Sequence, residues 1–460
     1  MTNYILTAKN YLIIIFFSLI TSSLAVNFES GCNSKELNSK SLPAHLSWSV
    51  NSTIYEVNIR QYTPEGTFKA FAPSLPKLKE LGVGILWFMP VNPIGVLNRK
   101  GSLGSYYSVM DYTSINPEFG TIEDFKAVVK EAHGLGMYVI IDWVANHTSW
   151  DNVWTKSHPD FFKKDATGKF ISPYDWTDVI SLDYSNKELW NSMRDAMKFW
   201  IEQCDIDGFR CDVAAMVPLE FWKWVRPQLD AVKPMFMLAE ASEPELHQAF
   251  DMTYNWQLKD LFVDCAKGIK NADDFYKYFD SEKIDYPADS YRMVFTSNHD
   301  ENSWNGTDKE RFGNATEIFA VLAGVVPGMP LVYNGQEAGL DKRLLFFEKD
   351  SIDWKEDKMR HIYRKLFQLK KENKALWNGT AGGDFQKVAS NDQNIFIFVR
   401  EKDGNKVVAF FNLSESKKAV TVSDTKIEGI YKNLFTNEET QIPSTYQLIL
   451  SPWDYQVFYK

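Results

Sequence analysis

Between residues 54 and 333 the chain alternates short, continuous apolar runs with segments of helical periodicity, and no other feature limits the available folds as strongly. A short apolar run between turn residues reads as a strand buried on both faces. A helical segment between two such runs carries the chain back, so that successive strands lie parallel. The runs fall at 54–59, 84–90, 137–142, 208–213, 235–239, 252–256, 292–296 and 331–333. Helical patterns occupy 75–81, 122–133, 188–202, 220–229 and 315–323. Eight strands joined in this way predict an α/β chain folded as a (β/α)8 TIM barrel, whose core usually takes ~250 residues. A doubly wound open sheet is the alternative. No Gly-rich dinucleotide loop follows the first strand, which disfavours it.

The connection after the third run is unusually long, and its middle, 149–184, is rich in Trp, Asp, Pro and Lys. It is read as a functional loop domain inserted into the barrel. Beyond residue 375 the pattern changes to short strands between Asn, Asp, Gly and Ser turns, which predicts a C-terminal all-β sandwich over 376–460. The barrel is then 48–375, preceded by a linker at 26–47.

The N-terminus reads as an export signal. Lys9 precedes an apolar run, 11–20, that is too short to span a bilayer, and Ser23-Leu24-Ala25 supplies small residues for cleavage after residue 25. Ser30-Gly31-Cys32 is a competing signal for a lipid anchor on Cys32, and Glu29 fits it poorly. No later run is long enough for a transmembrane helix. Cys32, Cys204, Cys211 and Cys265 form no disulfide framework or zinc pattern. The net charge of −10, without a Lys/Arg run, argues against a nucleic-acid partner.

In a parallel barrel, the C-terminal strand ends build the site. Asp142, Asn146 and His147 follow the third strand, Arg210 and Asp212 end the fourth, Glu240 ends the fifth, and Asn298, His299 and Asp300 follow the seventh. Carboxylates, histidines and an arginine on one rim suit glycosidic cleavage. That chemistry requires a nucleophilic carboxylate, a carboxylic acid of raised pKa and partners for sugar hydroxyls. Arg210 lies two residues before Asp212 on a strand, so both point to one face and the arginine can keep the carboxylate ionised.

These residues resemble glycoside hydrolase family 13, the α-amylase family. Asp142-Trp-Val-Ala-Asn-His147, Gly208-Phe-Arg-Cys-Asp212, Leu238-Ala-Glu240 and Thr296-Ser-Asn-His-Asp300 are similar to its four conserved regions, in order. Segments 107–112 and 328–337 resemble those after its second and eighth strands, and the likeness runs from Trp48 to the C-terminus. The resemblance implies Asp212 as nucleophile, Glu240 as acid/base, and Asp300 as the group that binds sugar hydroxyls and stabilises the oxocarbenium-like state. It implies that Arg210 orients Asp212, that His147 and His299 hold hydroxyls, that Tyr107 stacks on the sugar, and that Asp142 supports the group from behind.

Departures narrow the reading. Ala215 and Met216 replace a Lys-His pair common in α-amylases, and Val213 after the nucleophile is more frequent in α-1,6-acting relatives. Ser181 stands where an Asp is often found. Many relatives hold calcium beside the inserted loop. Here Asn146 is the matching side-chain ligand, which is thin support for an ion that takes ~6–8 oxygens. The expectation is that no cofactor is required, with calcium left open and poorly supported. Asn146 is instead expected to bond loop backbone beside His147 and keep that ring oriented. The reading is an exported, retaining glycosidase that hydrolyses α-1,4 and/or α-1,6 bonds in maltodextrin or starch-type oligosaccharides. The alternatives are a glycosyl-transferring enzyme of the same family and a catalytically silent carbohydrate-binding accessory protein.

Overall fold

The computed structural model describes residues 43–460; the leader at 1–25 and Cys32 lie outside the described residues. Eight parallel strands close into a barrel: β1 (Ile54–Val57), β2 (Ile85–Phe88), β3 (Tyr138–Trp143), β6 (Gly208–Cys211), β7 (Phe236–Ala239), β8 (Met252–Tyr254), β9 (Tyr291–Val294) and β10 (Met329–Tyr333). A short antiparallel pair, β4 (His147–Ser149) and β5 (Val179–Ser181), ties the inserted loop to the end of β3. The ring closes where β1 pairs with β10.

Side chains alternate across each strand. Ile54, Ile85, Trp87, Ile140, Leu238, Met293 and Leu331 fill the lumen. Tyr55, Leu86, Phe88, Val139 and Ile141 face the other way and belong to the outer core with the helices. The lumen is thus packed, and only the strand ends are free to build a site. At the start of β6, a Cβ on Gly208 would lie 1.9 Å from the Phe236 carbonyl oxygen, so this position has no room for any side chain.

The run expected at 54–59 ends as a strand at Val57. Asn58 turns the chain by accepting a hydrogen bond from the Gln61 N–H, which caps a one-turn helix, Ile59–Tyr62. Periodicity alone hides such an internal cap. The helix expected at 188–202 runs Lys187–Cys204, from an Asn186 cap to a left-handed Asp205. The C-terminal domain is antiparallel, with a six-stranded and a two-stranded sheet. Ile397, Val408 and Phe410 of one share a core with Val420, Val422 and Leu450 of the other. Cys204, Cys211 and Cys265 are buried free thiols. Among the described residues no helix is long and apolar enough to cross a membrane.

Candidate active site

Register brings the first charges together. Asp142 on β3 is paired in the sheet with Arg210 on β6, and both side chains turn inward. Arg210 is fully buried and gathers three carboxyls: Asp142 Oδ1 at 2.9 Å, Asp212 Oδ1 at 3.1 Å and Glu240 Oε1 at 2.8 Å. The Tyr254 hydroxyl lies 3.1 Å from its Nε. The strand ends bearing Asp212 and Glu240 also touch directly, since the Val213 N–H donates to Glu240 Oε2 at 2.7 Å. Val213 adopts a left-handed backbone (φ 36°, ψ 48°), which a β-branched residue rarely accepts. That strain is what turns its N–H toward Glu240.

A second cluster forms around His299. Its Nδ1 lies 2.5 Å from Glu56 Oε1, and its Nε2 lies 3.2 Å from Asp300 Oδ2 and 2.8 Å from the Tyr107 hydroxyl. The Tyr107 hydroxyl also donates to Asp142 Oδ2 at 3.0 Å, joining the two clusters. Trp87 on β2 donates its indole N–H to the same oxygen at 3.2 Å. All eight expected residues, Tyr107, Asp142, His147, Arg210, Asp212, Glu240, His299 and Asp300, therefore lie at one end of the barrel. Asp142 is sealed at 0% side-chain exposure, whereas Asp212, Glu240 and Asp300 rise to 10%, 13% and 36%. A ligand can reach the last three. It cannot reach Asp142.

His147 is held differently. The Asn146 amide contacts its Nδ1 at 3.2 Å, and its Nε2 faces Asp212 Oδ2 at 3.8 Å. Burial lowers its pKa to about 3, so the ring is neutral. With Nδ1 accepting from Asn146, the proton sits on Nε2 and points into the site. Asn146 thus orients the ring, as expected, through a direct contact of its side-chain amide. Its backbone carbonyl accepts from the Leu182 N–H, which ties the segment after β3 to the inserted loop. Among the described residues no three His, Cys, Asp or Glu side chains converge as metal ligands.

The electrostatics follow from crowding. Glu56, Asp142, Asp212, Glu240 and Asp300 surround two cationic groups, Arg210 and His299. Burial opposes charge on His299, but Asp300 and Glu56 override it and raise the imidazole well above its usual range. Burial would raise Asp300, yet His299 beside it holds the carboxylate low. Burial and the facing Glu240 push Asp212 strongly up, with Arg210 opposing. Asp212 and Glu240 share one guanidinium and face each other across it. Carboxyls set this close in differing surroundings can divide acid and nucleophilic roles between them.

Glu56 was missed by the sequence reading, although a signal existed. It lies two residues after Ile54 on β1 and so must face the lumen, where a charge demands a partner. Trp304 and Phe346 were also missed, and only their spatial neighbours reveal them. Phe346 packs nearly parallel to Tyr107 (12°, 6.4 Å) and near His299 (6.3 Å), and the Trp304 ring lies 5.2 Å from it.

The family profile described as Alpha amylase, catalytic domain, matches residues 42–178 and 162–419. A curated relative, Alpha-amylase 2 of Dictyoglomus thermophilum, is 25% identical over 470 aligned positions, covering 90% of this chain and 80% of its own. The Alpha-1,4-glucan:maltose-1-phosphate maltosyltransferase of Rhodospirillum rubrum is 28% identical, covering 74% of this chain and 54% of its own. The crystal structure of an alpha-amylase from Lactobacillus plantarum superposes with a TM-score of 0.81 at 32% identity, covering 90% of this chain and 100% of that one. A maltogenic alpha-amylase, AmyB from Thermotoga neapolitana, gives 0.81 at 30% identity with the same coverage.

Proposed function

The chain belongs to the α-amylase family of glycoside hydrolases, and on that premise we propose that it hydrolyses α-glucosidic bonds in maltodextrin-type chains by a retaining, two-step route. The observation that carries this reading is one buried guanidinium, Arg210, in contact with Asp212 and Glu240 together. Retaining enzymes need their two carboxyls close enough for one to attack carbon while the other protonates the departing oxygen. In the first step an Asp212 oxygen forms a bond to the anomeric carbon. The bond to the glycosidic oxygen breaks, and that oxygen takes its proton from Glu240. In the second step Glu240 removes a proton from water, whose oxygen displaces Asp212 and regenerates the acid.

Arg210 supports attack by stabilising the Asp212 carboxylate, and binding of a glycosidic oxygen gives the Glu240 proton an acceptor. The open Asp300 carboxylate, held ionised against His299, suits hydroxyls of the sugar that bears developing positive charge. The neutral His147 offers Nε2–H to a hydroxyl beside Asp212. Tyr107 has its hydroxyl committed to Asp142 and His299, which leaves its ring face as the surface for a sugar. Asp142 acts through Arg210 and Tyr107 and touches no substrate.

Replacing Asp212 with Asn or Glu240 with Gln tests the roles. Each should lose a factor of ~10³ or more in turnover with the fold intact. A substrate with a good leaving group should partly rescue Glu240→Gln and leave Asp212→Asn inactive. Near-wild-type activity of Asp212→Asn on a natural glucan refutes the proposal. The relationship to a maltosyltransferase favours transfer to a second sugar as the alternative second step. Chromatography of products with and without an added acceptor sugar separates the two. Export remains part of the proposal: protein from its host should begin at Val26, or at a lipidated Cys32, and an intact Met1 refutes it.

A further inference from the structure

Three loops on one side of the barrel mouth are fastened to one another. Leu103, in the loop after β2, donates its N–H to the Phe347 carbonyl at 3.0 Å, in the loop after β10. The neighbouring Ser102 N–H donates to Glu348 Oε1 at 2.8 Å, and its hydroxyl bonds the other carboxylate oxygen. Gly101, at φ +64°, passes so close that a Cβ would lie 2.5 Å from the Phe347 Cβ. Arg60, buried at 2%, staples the same loops from below: its Nη1 donates to the carbonyls of Gly104 (3.0 Å) and Phe346 (3.3 Å), and its Nη2 to that of Leu103 (3.2 Å).

The third loop follows β9. Asp300 is followed directly by a π-helical turn, Glu301–Asn305, which exposes Trp304 at 52%. Exposure of a tryptophan is costly, yet this turn is rigid. Buried Glu301 is paired with Lys259 and Arg311, and the Asn302 side chain holds the backbone of Lys342 and Leu344. Such turns inside helices concentrate at functional positions. The Trp304 ring leans on Phe346 and Phe347 at 5.2 and 5.7 Å.

The position of this clasp in the ring gives it a meaning. The barrel order is β1-β10-β9-β8-β7-β6-β3-β2, so β1 lies diametrically opposite β7, which carries Glu240. The clasp comes from the loops after β9, β10 and β2, with Arg60, just after β1, beneath them. A glycosidase acid sits against the glycosidic oxygen, so leaving-group sugars extend past Glu240. The retained sugar extends the other way, toward the clasp.

From this geometry we infer that the clasp walls off the mouth on the retained-sugar side, so that the enzyme removes short units from the non-reducing ends of malto-oligosaccharides, with the terminal sugar against the Trp304 ring. The inference rests on the α-glucan reading above and narrows it to end-directed cleavage. Sugar rings present apolar C–H faces, and an exposed, rigidly held indole beside Asp300 suits one.

The test uses the full-length enzyme and two forms of maltoheptaose, one free and one carrying a 4,6-O-ethylidene group on its non-reducing terminal glucose. The free form should be cleaved, with a reducing-end label passing first into chains shortened by one small unit. The blocked form should be cleaved ~10–100-fold more slowly, because the extra group is forced against packed atoms. Loosening the clasp in a Phe347→Ala/Glu348→Ala variant should bring the two rates together, and Trp304→Ala should raise KM several-fold. If the clasp variant does not fold, the wild-type comparison still decides. Equal cleavage of both forms, or a label scattered at once over all lengths, overturns the inference. Cleavage of neither form refutes the α-glucan reading instead.

Discussion

Replacing Glu56 with Gln removes one charge from the His299 cluster and almost no volume. The Glu56 side chain is fully buried, Oε1 contacts His299 Nδ1, and Oε2 has no hydrogen-bond partner. An amide can keep the contact to Nδ1, so the loss is chiefly electrostatic. For unit charges ~4 Å apart in an effective dielectric of ~20, the attraction is ~4 kcal/mol, equivalent to ~3 pKa units as an upper bound. Part of the raised His299 pKa survives, because Asp300 contributes independently. Any part of the alkaline limb of kcat/KM that reports loss of the His299 proton should therefore move toward acid in Glu56→Gln. Titration of the His299 ring by NMR should move with it. A variant with native circular dichroism, an unchanged pH profile and an unchanged His299 titration would refute the claim that Glu56 holds the charge on this ring.

Gly208→Ala should destabilise the barrel by more than ~4 kcal/mol, because the clash is with the Phe236 backbone and no rotamer relieves it; a soluble variant with wild-type Tm contradicts this. His133, on the last turn of Ile122–Gly134, sits 2.7 Å from Asp207 Oδ2, and the bond to Asp207 raises its pKa above the usual value. A histidine raised on folding stabilises fully below its unfolded pKa of about 6.5 and loses that contribution as pH rises through the folded value. The Tm gap between wild type and His133→Gln should thus be widest below about pH 6.5 and shrink as pH rises above it, and a gap widening with pH is the wrong sign. Dialysis against EDTA should leave Tm and activity unchanged, since the Asn146 side-chain amide is turned to His147; a fall of several degrees that micromolar calcium restores would show that other oxygens complete a site.

The barrel was legible because strands buried on both faces read as unbroken apolar runs, and helices between them fix parallel order. The same logic put Asp142, Arg210, Asp212, Glu240 and Asp300 at strand ends, where the structure brings them together. What escaped was whatever depends on partners distant in sequence. Glu56 meets His299 across 243 positions, and the Leu103–Phe347 bond joins two loops whose seams carry no motif. The left-handed turn at Val213 escaped for another reason. Valine normally argues against that backbone, and only the close approach of two strand ends imposes it. The early end of β1 was signalled by Asn58, an ordinary helix cap concealed inside an apolar run.

The central claim is a covalent, double-displacement step between Asp212 and Glu240, and the anomeric form of the first product tests it most directly. Proton NMR during the first minutes of maltooligosaccharide hydrolysis distinguishes α from β hemiacetals before mutarotation mixes them. Two inversions at one carbon should release the α anomer first. A β anomer appearing first would contradict the account.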